Sequence, residues 1–171
     1  MVDNALAHSV DAASAIKRPR ALNTILYGGL TVGVLDGLYA ITFAWLRRGM
    51  SPIRVFQYVA GGVFGRDSFN GGLKTFAIGL MFHFLIAFTV ASVFYCASLI
   101  LPTLTRQAIM WGLIYGVIVY FVMNYLVVPL SAAPKSQSPI PILILIRDVI
   151  GHALLVGLPV ALIARQSTKS N

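Results

Sequence analysis

Three polar side chains lie inside an almost uninterrupted apolar segment near the end of the chain. The segment, PILILIRDVIGHALLVGLPVALIA, contains Arg147, Asp148 and His152 and is long enough to cross a bilayer as a helix. Ionised groups in such a helix must face protein or a water-filled cavity, where they form ion pairs or carry protons. Because Asp148 and His152 are four residues apart, we expect them to share a helix face and to hydrogen-bond to each other. Arg147 should point about 100° away from Asp148.

Single polar residues also interrupt three other apolar segments, namely Asp36, His83 and Asn124. We assume that the four segments cross the membrane in alternating directions. Counting 1.5 Å per residue from their ends then places these groups, with Asp148 and His152, about 9 to 18 Å deep in the same half of the bilayer. The sequence therefore predicts one intramembrane polar cluster, made of Asp36, His83, Asn124, Arg147, Asp148 and His152.

Such a cluster has three interpretations. Its members can satisfy one another and join helices, as polar pairs in membrane bundles commonly do, and this is the interpretation that we favour. They can instead line a cavity for protons or a small solute, as in a permease or proton-coupled carrier, which with four short helices would require an oligomer. A metal ion, or a haem between His83 and His152, is the third interpretation, but no tight ligand motif is present and we predict no cofactor.

Hydrolytic motifs are missing from the sequence. The chain contains no glutamate, no G-x-S-x-G turn and no H-E-x-x-H helix. We therefore predict a protein that is not an enzyme.

Composition places the chain in the membrane. It has 171 residues, of which 58% are hydrophobic and only 11% are charged, with a mean hydropathy of +0.83, whereas soluble domains have about 25% charged residues. The net charge of +8 does not indicate nucleic acid, because the basic residues stand in ones and twos beside apolar segments, as membrane anchors do. We expect lipid as the partner and no nucleic acid.

Apolar periodicity predicts an all-α membrane bundle. Four spans are expected at about residues 21–46, 75–101, 107–130 and 140–164, between a disordered basic tail at 1–20 and a polar tail at 166–171. Between the first two spans, Ser51 can cap a short amphipathic helix at about 52–65 that begins with Pro52. We expect this helix to lie in the membrane interface or to enter the bilayer partway, with Ile53, Phe56, Ala60 and Val63 on its apolar face.

Small residues recur at four-residue intervals in the spans. Such stripes let two helices approach closely. We predict that they serve helix packing and self-association into a homo-oligomer. The stripe residues are Gly29, Gly33, Gly37, Gly79, Gly112, Gly116, Ala153 and Gly157.

Five stretches carry a family resemblance: GVLDGLYA, SPIRVFQYVAGGVFGRDSFNGG, GLMFHFLIAF, MNYLVVPLSA and DVIGHALLVGLPVALIAR. Through them, nearly all of the chain after the tail resembles a family of uncharacterised small four-helix inner-membrane proteins of bacteria. The stretches include Asp36, His83, Asn124, Asp148 and His152. The resemblance implies a multi-pass protein of the bacterial inner membrane and brings no activity with it.

Basic residues divide evenly between the two membrane sides. We place both termini in the cytoplasm, because the basic residues before the first span usually have most weight. One side has Lys17, Arg18, Arg20, Arg106, Arg165 and Lys169, and the other has Arg47, Arg48, Arg54, Arg66, Lys74 and Lys135.

Overall fold

The computed structural model describes residues 18–134 and 140–169. Most of the predicted basic tail (1–20) and the end of the predicted polar tail (166–171) therefore lie outside the described residues, as does the segment 135–139. Within the described ranges, every regular element is helical and no strand occurs. The α-helices, in chain order, are α1 (Asn23–Arg48), α2 (Pro52–Phe64), α3 (Gly72–Ile100), α4 (Thr103–Arg106), α5 (Ala108–Leu130) and α6 (Ile142–Lys169).

The helices α1, α3, α5 and α6 are long and apolar enough to cross a membrane. The prediction of an all-α bundle with four transmembrane helices is therefore confirmed, and the chain is a multispanning membrane protein. Their bounds differ from the predicted ones by at most five residues. The largest difference is at the end of α6, which continues to Lys169, so that residues 166–169 are helical. Such shifts are usual, because helix ends depend on local capping.

Capping residues explain where α1 ends and where α2 begins. Gly49 ends α1 in the left-handed conformation, with φ of 58°. Its N–H donates to the Trp45 carbonyl group, and the Met50 N–H donates to the Ala44 carbonyl group. A residue with a side chain would be strained in this conformation. Ser51 then caps α2, as predicted, by accepting a hydrogen bond from the Arg54 N–H, while Pro52 occupies the first turn.

Two spans contain a π-helical turn shortly before a proline. The turn Met123–Val127 precedes Pro129 in α5, and the turn Ala153–Gly157 precedes Pro159 in α6. A proline lacks the N–H that would continue the helix ladder, and its ring clashes with the carbonyl group four residues earlier. A widened turn relieves this clash.

The predicted small-residue stripes pack against helices of the same chain. A Cβ atom added at Gly29 or Gly33 would meet the ring of Phe88 or Phe84 on α3, and one at Gly37 would lie 3.2 Å from His83 Nε2. On the other side of the bundle, Gly112 and Gly116 of α5 face the Ala153–Gly157 turn and Ala161 of α6 so closely that the two backbones touch. These faces are therefore used inside one chain.

The dry apolar core lies towards the end of the bundle at which α1 begins and α6 ends. Phe94 of α3 is 1% exposed and Val160 of α6 is fully buried, and both belong to an apolar cluster that also includes Leu104 and Ala108. At this end, the hydroxyl groups of Thr24 and Ser167 are 3.1 Å apart and join α1 to α6. This half of the bundle is thus closed by packing.

The helix α2 packs against another helix of the protein, α3. Gly79 of α3 faces the backbone of Phe56 and Ala60 of α2 directly. Gln57 is also buried, and its amide donates to the Gly72 carbonyl group. The expected apolar face is divided, because Phe56 and Ala60 are buried while Ile53 is 40% and Val63 is 61% exposed. The position of α2 relative to the lipid interface stays a prediction.

Replacing Gly157 by Ala should lower the stability of the bundle. The added Cβ would lie 2.6 Å from the Cα of Gly116, and overpacking of this kind costs about 1 to 3 kcal/mol. The matched control is Gly62→Ala in α2, where the nearest atom would be 3.9 Å away. Thermal unfolding in detergent should show a lower midpoint for Gly157→Ala than for the wild type. The midpoint of Gly62→Ala should equal that of the wild type. Equal midpoints would contradict the close packing of α5 and α6.

Replacing Phe56 by Asp should release α2 from α3. Phe56 is 6% exposed, whereas Val63, the matched control, is 61% exposed. Burying a carboxylate without a partner is strongly unfavourable. Limited trypsin digestion of the protein in lipid nanodiscs should therefore cleave faster after Arg54 and Arg66 in Phe56→Asp, and at the wild-type rate in Val63→Asp. Unchanged cleavage in Phe56→Asp would show that α2 is not docked in this way.

Candidate functional site

A cavity of about 530 Å³ lies between α1, α2, α3, α5 and α6. It reaches the membrane side on which α1 and α5 end, because Arg47, Arg48 and Ser131 are among its lining residues. All six residues of the predicted polar cluster line this cavity: Asp36, His83, Asn124, Arg147, Asp148 and His152. The structure therefore brings them to one cavity, but it does not join all of them directly to each other.

Arg147 and Asp148 form an ion pair at the cavity wall. The Arg147 Nε and Nη2 atoms donate to the Oδ1 atom of Asp148 at 2.9 and 2.6 Å. Their side chains are 27% and 23% exposed. Although the two Cα–Cβ bonds point about 100° apart, the long arginine side chain bends back to its neighbour. The expectation that the two groups point apart is therefore wrong for the charged ends.

Two aromatic residues of α1 hold this ion pair, and sequence reasoning did not identify them. The Tyr39 hydroxyl group donates to Asp148 Oδ1 at 2.8 Å. The guanidinium carbon of Arg147 lies 4.3 Å from the centre of the Phe43 ring, a cation–π arrangement. Asp36, Tyr39 and Phe43 are three and four residues apart. This helix-face spacing was the available signal.

His152 bonds to a backbone carbonyl group and not to the Asp148 carboxylate. Its Nδ1 atom is 2.9 Å from the Asp148 carbonyl oxygen, so the predicted side-chain hydrogen bond between the two residues is wrong. The reason is local, because the carbonyl group four residues back on a helix lies within reach of the ring while the Asp148 carboxylate is taken by Arg147 and Tyr39. His152 Nε2 instead faces Asp36 Oδ1 at 4.0 Å.

This geometry sets the tautomer of His152. A carbonyl oxygen only accepts, so Nδ1 carries the proton, and Nε2 of the neutral ring presents a lone pair towards the Asp36 carboxylate. A second proton on Nε2 would point at Asp36 and form an ion pair. Within the described part of the chain, Asp36 makes no hydrogen bond. The two side chains thus face each other across the cavity, with Nε2 of His152 and Oδ1 of Asp36 4.0 Å apart.

His83 and Asn124 bond to backbone groups. The His83 Nε2 atom donates to the Gly33 carbonyl oxygen at 2.8 Å and so connects α3 to α1. The Asn124 amide donates to the Tyr120 carbonyl oxygen of its own helix at 3.0 Å. Asn124 lies in the π-helical turn of α5, and its side chain remains at the cavity wall.

The rest of the cavity wall is polar at its outer end and apolar deeper in the protein. Tyr58 joins Arg47 and Arg48 at the outer end. Burial raises the pKa of the Tyr58 hydroxyl above its ordinary value, and the positive charge of Arg48 opposes this shift. The phenol therefore stays neutral at physiological pH and does not cancel the arginine charges. Deeper in the cavity the wall is apolar, and Val32, Ala87, Val119 and Val156 belong both to it and to the dry core.

The described ranges contain no preformed group of metal ligands. There, no three or more His, Cys, Asp or Glu side chains come together in a group that could hold a metal ion. His83 and His152 each use one ring nitrogen on a backbone carbonyl group. The arrangement offers a facing Asp36 and His152, the guanidinium group of Arg147 and hydrogen-bonding side chains around one cavity.

Replacing Tyr39 by Phe should destabilise the protein while keeping the ring beside Arg147. The change removes a hydrogen bond to a charged group, which contributes about 1.5 to 3 kcal/mol. The matched control is Tyr125→Phe, because Tyr125 is 61% exposed on the outer face of α5. Unfolding in increasing concentrations of SDS should shift to lower concentration for Tyr39→Phe alone. A shift of the same size in both variants would contradict the role given to Tyr39.

Comparison of the chain with protein-family models, with curated proteins and with solved structures gave no match. The function is therefore argued from the geometry of the cavity.

Proposed function

We propose that this multispanning membrane protein binds a small solute in its cavity and acts as a small permease or proton-coupled carrier, without catalysing a chemical reaction. The observation that carries this proposal is the cavity itself, a volume of about 530 Å³ whose lining includes all six residues of the predicted polar cluster. Cavities of about 300 to 1,000 Å³, mostly apolar with a few convergent polar groups, are typical of small-molecule sites.

Packing density supports this proposal over a purely structural role for the polar residues. In the structural role, the polar side chains would only join helices to each other. Such a cluster would be packed like the rest of a protein interior, where few voids exceed the size of a water molecule. Here the Asp36 carboxylate has only a 4.0 Å contact with His152. Groups left around an open volume fit a binding site better than an adhesive contact.

Proton coupling is the second part of the proposal. Asp36 and His152 lie on facing helices at the cavity wall, with Oδ1 of Asp36 4.0 Å from Nε2 of His152. Intramembrane acidic and histidine residues commonly relay protons in transporters. A proton at this pair would change the charge of the cavity by one unit and therefore its affinity for a charged solute.

We also propose that the protein resides in the bacterial inner membrane with both termini in the cytoplasm. The first part follows from the family resemblance and the second from the basic residues before α1. With this orientation, the cavity opens to the periplasm, because it reaches the side on which α1 and α5 end.

Self-association stays a proposal and needs a surface other than the glycine stripes, which face neighbouring helices of the same chain. The outward face of α1 offers one, since Leu30, Val34 and Leu38 are 42%, 49% and 57% exposed. An oligomer would complete the enclosure that four short helices provide only in part.

The test is the accessibility of the cavity to water. In a Cys96→Ala background, Asn124→Cys places a thiol on the cavity wall, and Tyr125→Cys places one at nearly the same depth facing lipid. A charged methanethiosulfonate reagent reacts with the thiolate, which forms only in water. We expect Asn124→Cys to react from the periplasmic side, in intact cells, and more slowly in inside-out vesicles.

The control and the two sides separate the parts of the proposal. Tyr125→Cys should stay unreactive from both sides. Reaction of Asn124→Cys only in inside-out vesicles would contradict the proposed orientation but not the proposed water-filled cavity. Equal, slow reaction of both cysteines from both sides would show a dry cavity and would overturn the proposed function.

A further inference from the structure

We propose that the cavity takes an amphiphilic monoanion, of which a free medium-chain carboxylate is the simplest form, with its head at Arg147 and its tail in the apolar inner part. This inference rests on the proposed function and adds the chemical class of the solute.

Arg147 presents an unused donor edge. Both of its hydrogen bonds go to a single oxygen of Asp148, through Nε and Nη2. Within the described residues, Nη1 has no partner. The guanidinium group is held by Asp148 and packs over the rings of Phe43 and Tyr39, at 4.3 and 5.9 Å from their centres. A planar, fixed guanidinium with free N–H groups matches the geometry of a carboxylate.

The charges of the lining residues favour an anion over a cation. Arg47, Arg48 and Arg147 supply three positive charges, against two negative charges from Asp36 and Asp148. The histidines add positive charge when they are protonated. Because Arg47 and Arg48 lie at the outer end, they would also draw anions towards the opening, an effect that weakens with salt.

The inner wall requires an apolar part in the same ligand. A small inorganic anion would leave this part of the volume either empty or filled with poorly bonded water. A hydrocarbon tail gains about 25 cal/mol for each Å² that it removes from water. The apolar lining residues there are Val32, Ile86, Ala87, Val90, Val119 and Val156.

The test measures protection of Asn124→Cys by three probes with the same tail and different heads. The full-length protein is placed in nanodiscs of phosphatidylcholine and labelled at neutral pH in the presence of decanoate, decanol or decyltrimethylammonium. The two ionic probes are kept below their critical micelle concentrations, and decanol is kept below its solubility limit. We expect decanoate to slow labelling several-fold and the other two to have little effect.

Variants locate the head of the ligand. Arg147→Lys keeps the charge opposite Asp148 but loses the fork, so protection should require several-fold more decanoate. Asp148→Asn keeps a hydrogen-bond acceptor while removing the competing charge, so protection should require less. Arg54→Gln is the control for surface charge, because Arg54 is exposed and does not line the cavity. It should leave protection unchanged.

Each other outcome overturns a stated part. Protection by decyltrimethylammonium that equals or exceeds that by decanoate would contradict the proposal that the ligand is an anion, but not the proposed cavity. The same holds if no probe protects Asn124→Cys while the cysteine still reacts. Loss of protection in Arg54→Gln would assign it to the membrane surface. Protection by added phosphatidylglycerol, with none further by decanoate, would identify a lipid headgroup as the occupant. An unreactive Asn124→Cys without probes would instead refute the proposed function.

Discussion

The constraint on which this structure depends is that a bilayer cannot solvate the ion pair of Arg147 and Asp148. Charges inside a span must be surrounded by protein or water, and here α1 supplies the surroundings, through the hydroxyl group of Tyr39 and the ring of Phe43. This requires α1 and α6 to run side by side at that depth. Gly151 of α6 makes the approach feasible, because a Cβ atom there would meet the Tyr39 ring 2.7 Å away. The polar contacts and the helix arrangement therefore depend on each other.

The two halves of the bundle use opposite packing. Towards the termini, small residues let α5 and α6 touch through their backbones, and Phe94 and Val160 complete a dry core. Towards the other side, α2 stands against α3 and helps to enclose the cavity together with bulky side chains of α1. Association of helices in lipid relies on close van der Waals contact. The closely packed half thus supplies contact that the open half lacks.

The sequence was sufficient for the four spans, the cap at Ser51 and the glycines at the helix contacts, because these follow from local periodicity and from the absence of a side chain. Asp36 and His152, two residues of the predicted cluster, face each other at 4.0 Å. The bonding partners were not predictable in the same way. Arg147 has several rotatable bonds, so the direction of its Cα–Cβ bond does not decide where its charge lies. The cavity depends on the distances between helices, which no spacing in the sequence encodes.

The helix α6 combines both roles, and its π-helical turn marks the boundary between them. Before the turn, Arg147, Asp148 and His152 face the cavity, and after it Val160 and Ala161 are fully buried in the core. A π-helical turn adds a residue to one turn and rotates the following segment relative to the preceding one. Pro159 requires irregularity at this point, since it cannot continue the ladder of hydrogen bonds. The same feature therefore accommodates the proline and lets one helix present a polar face to the cavity in one half and an apolar face to the core in the other.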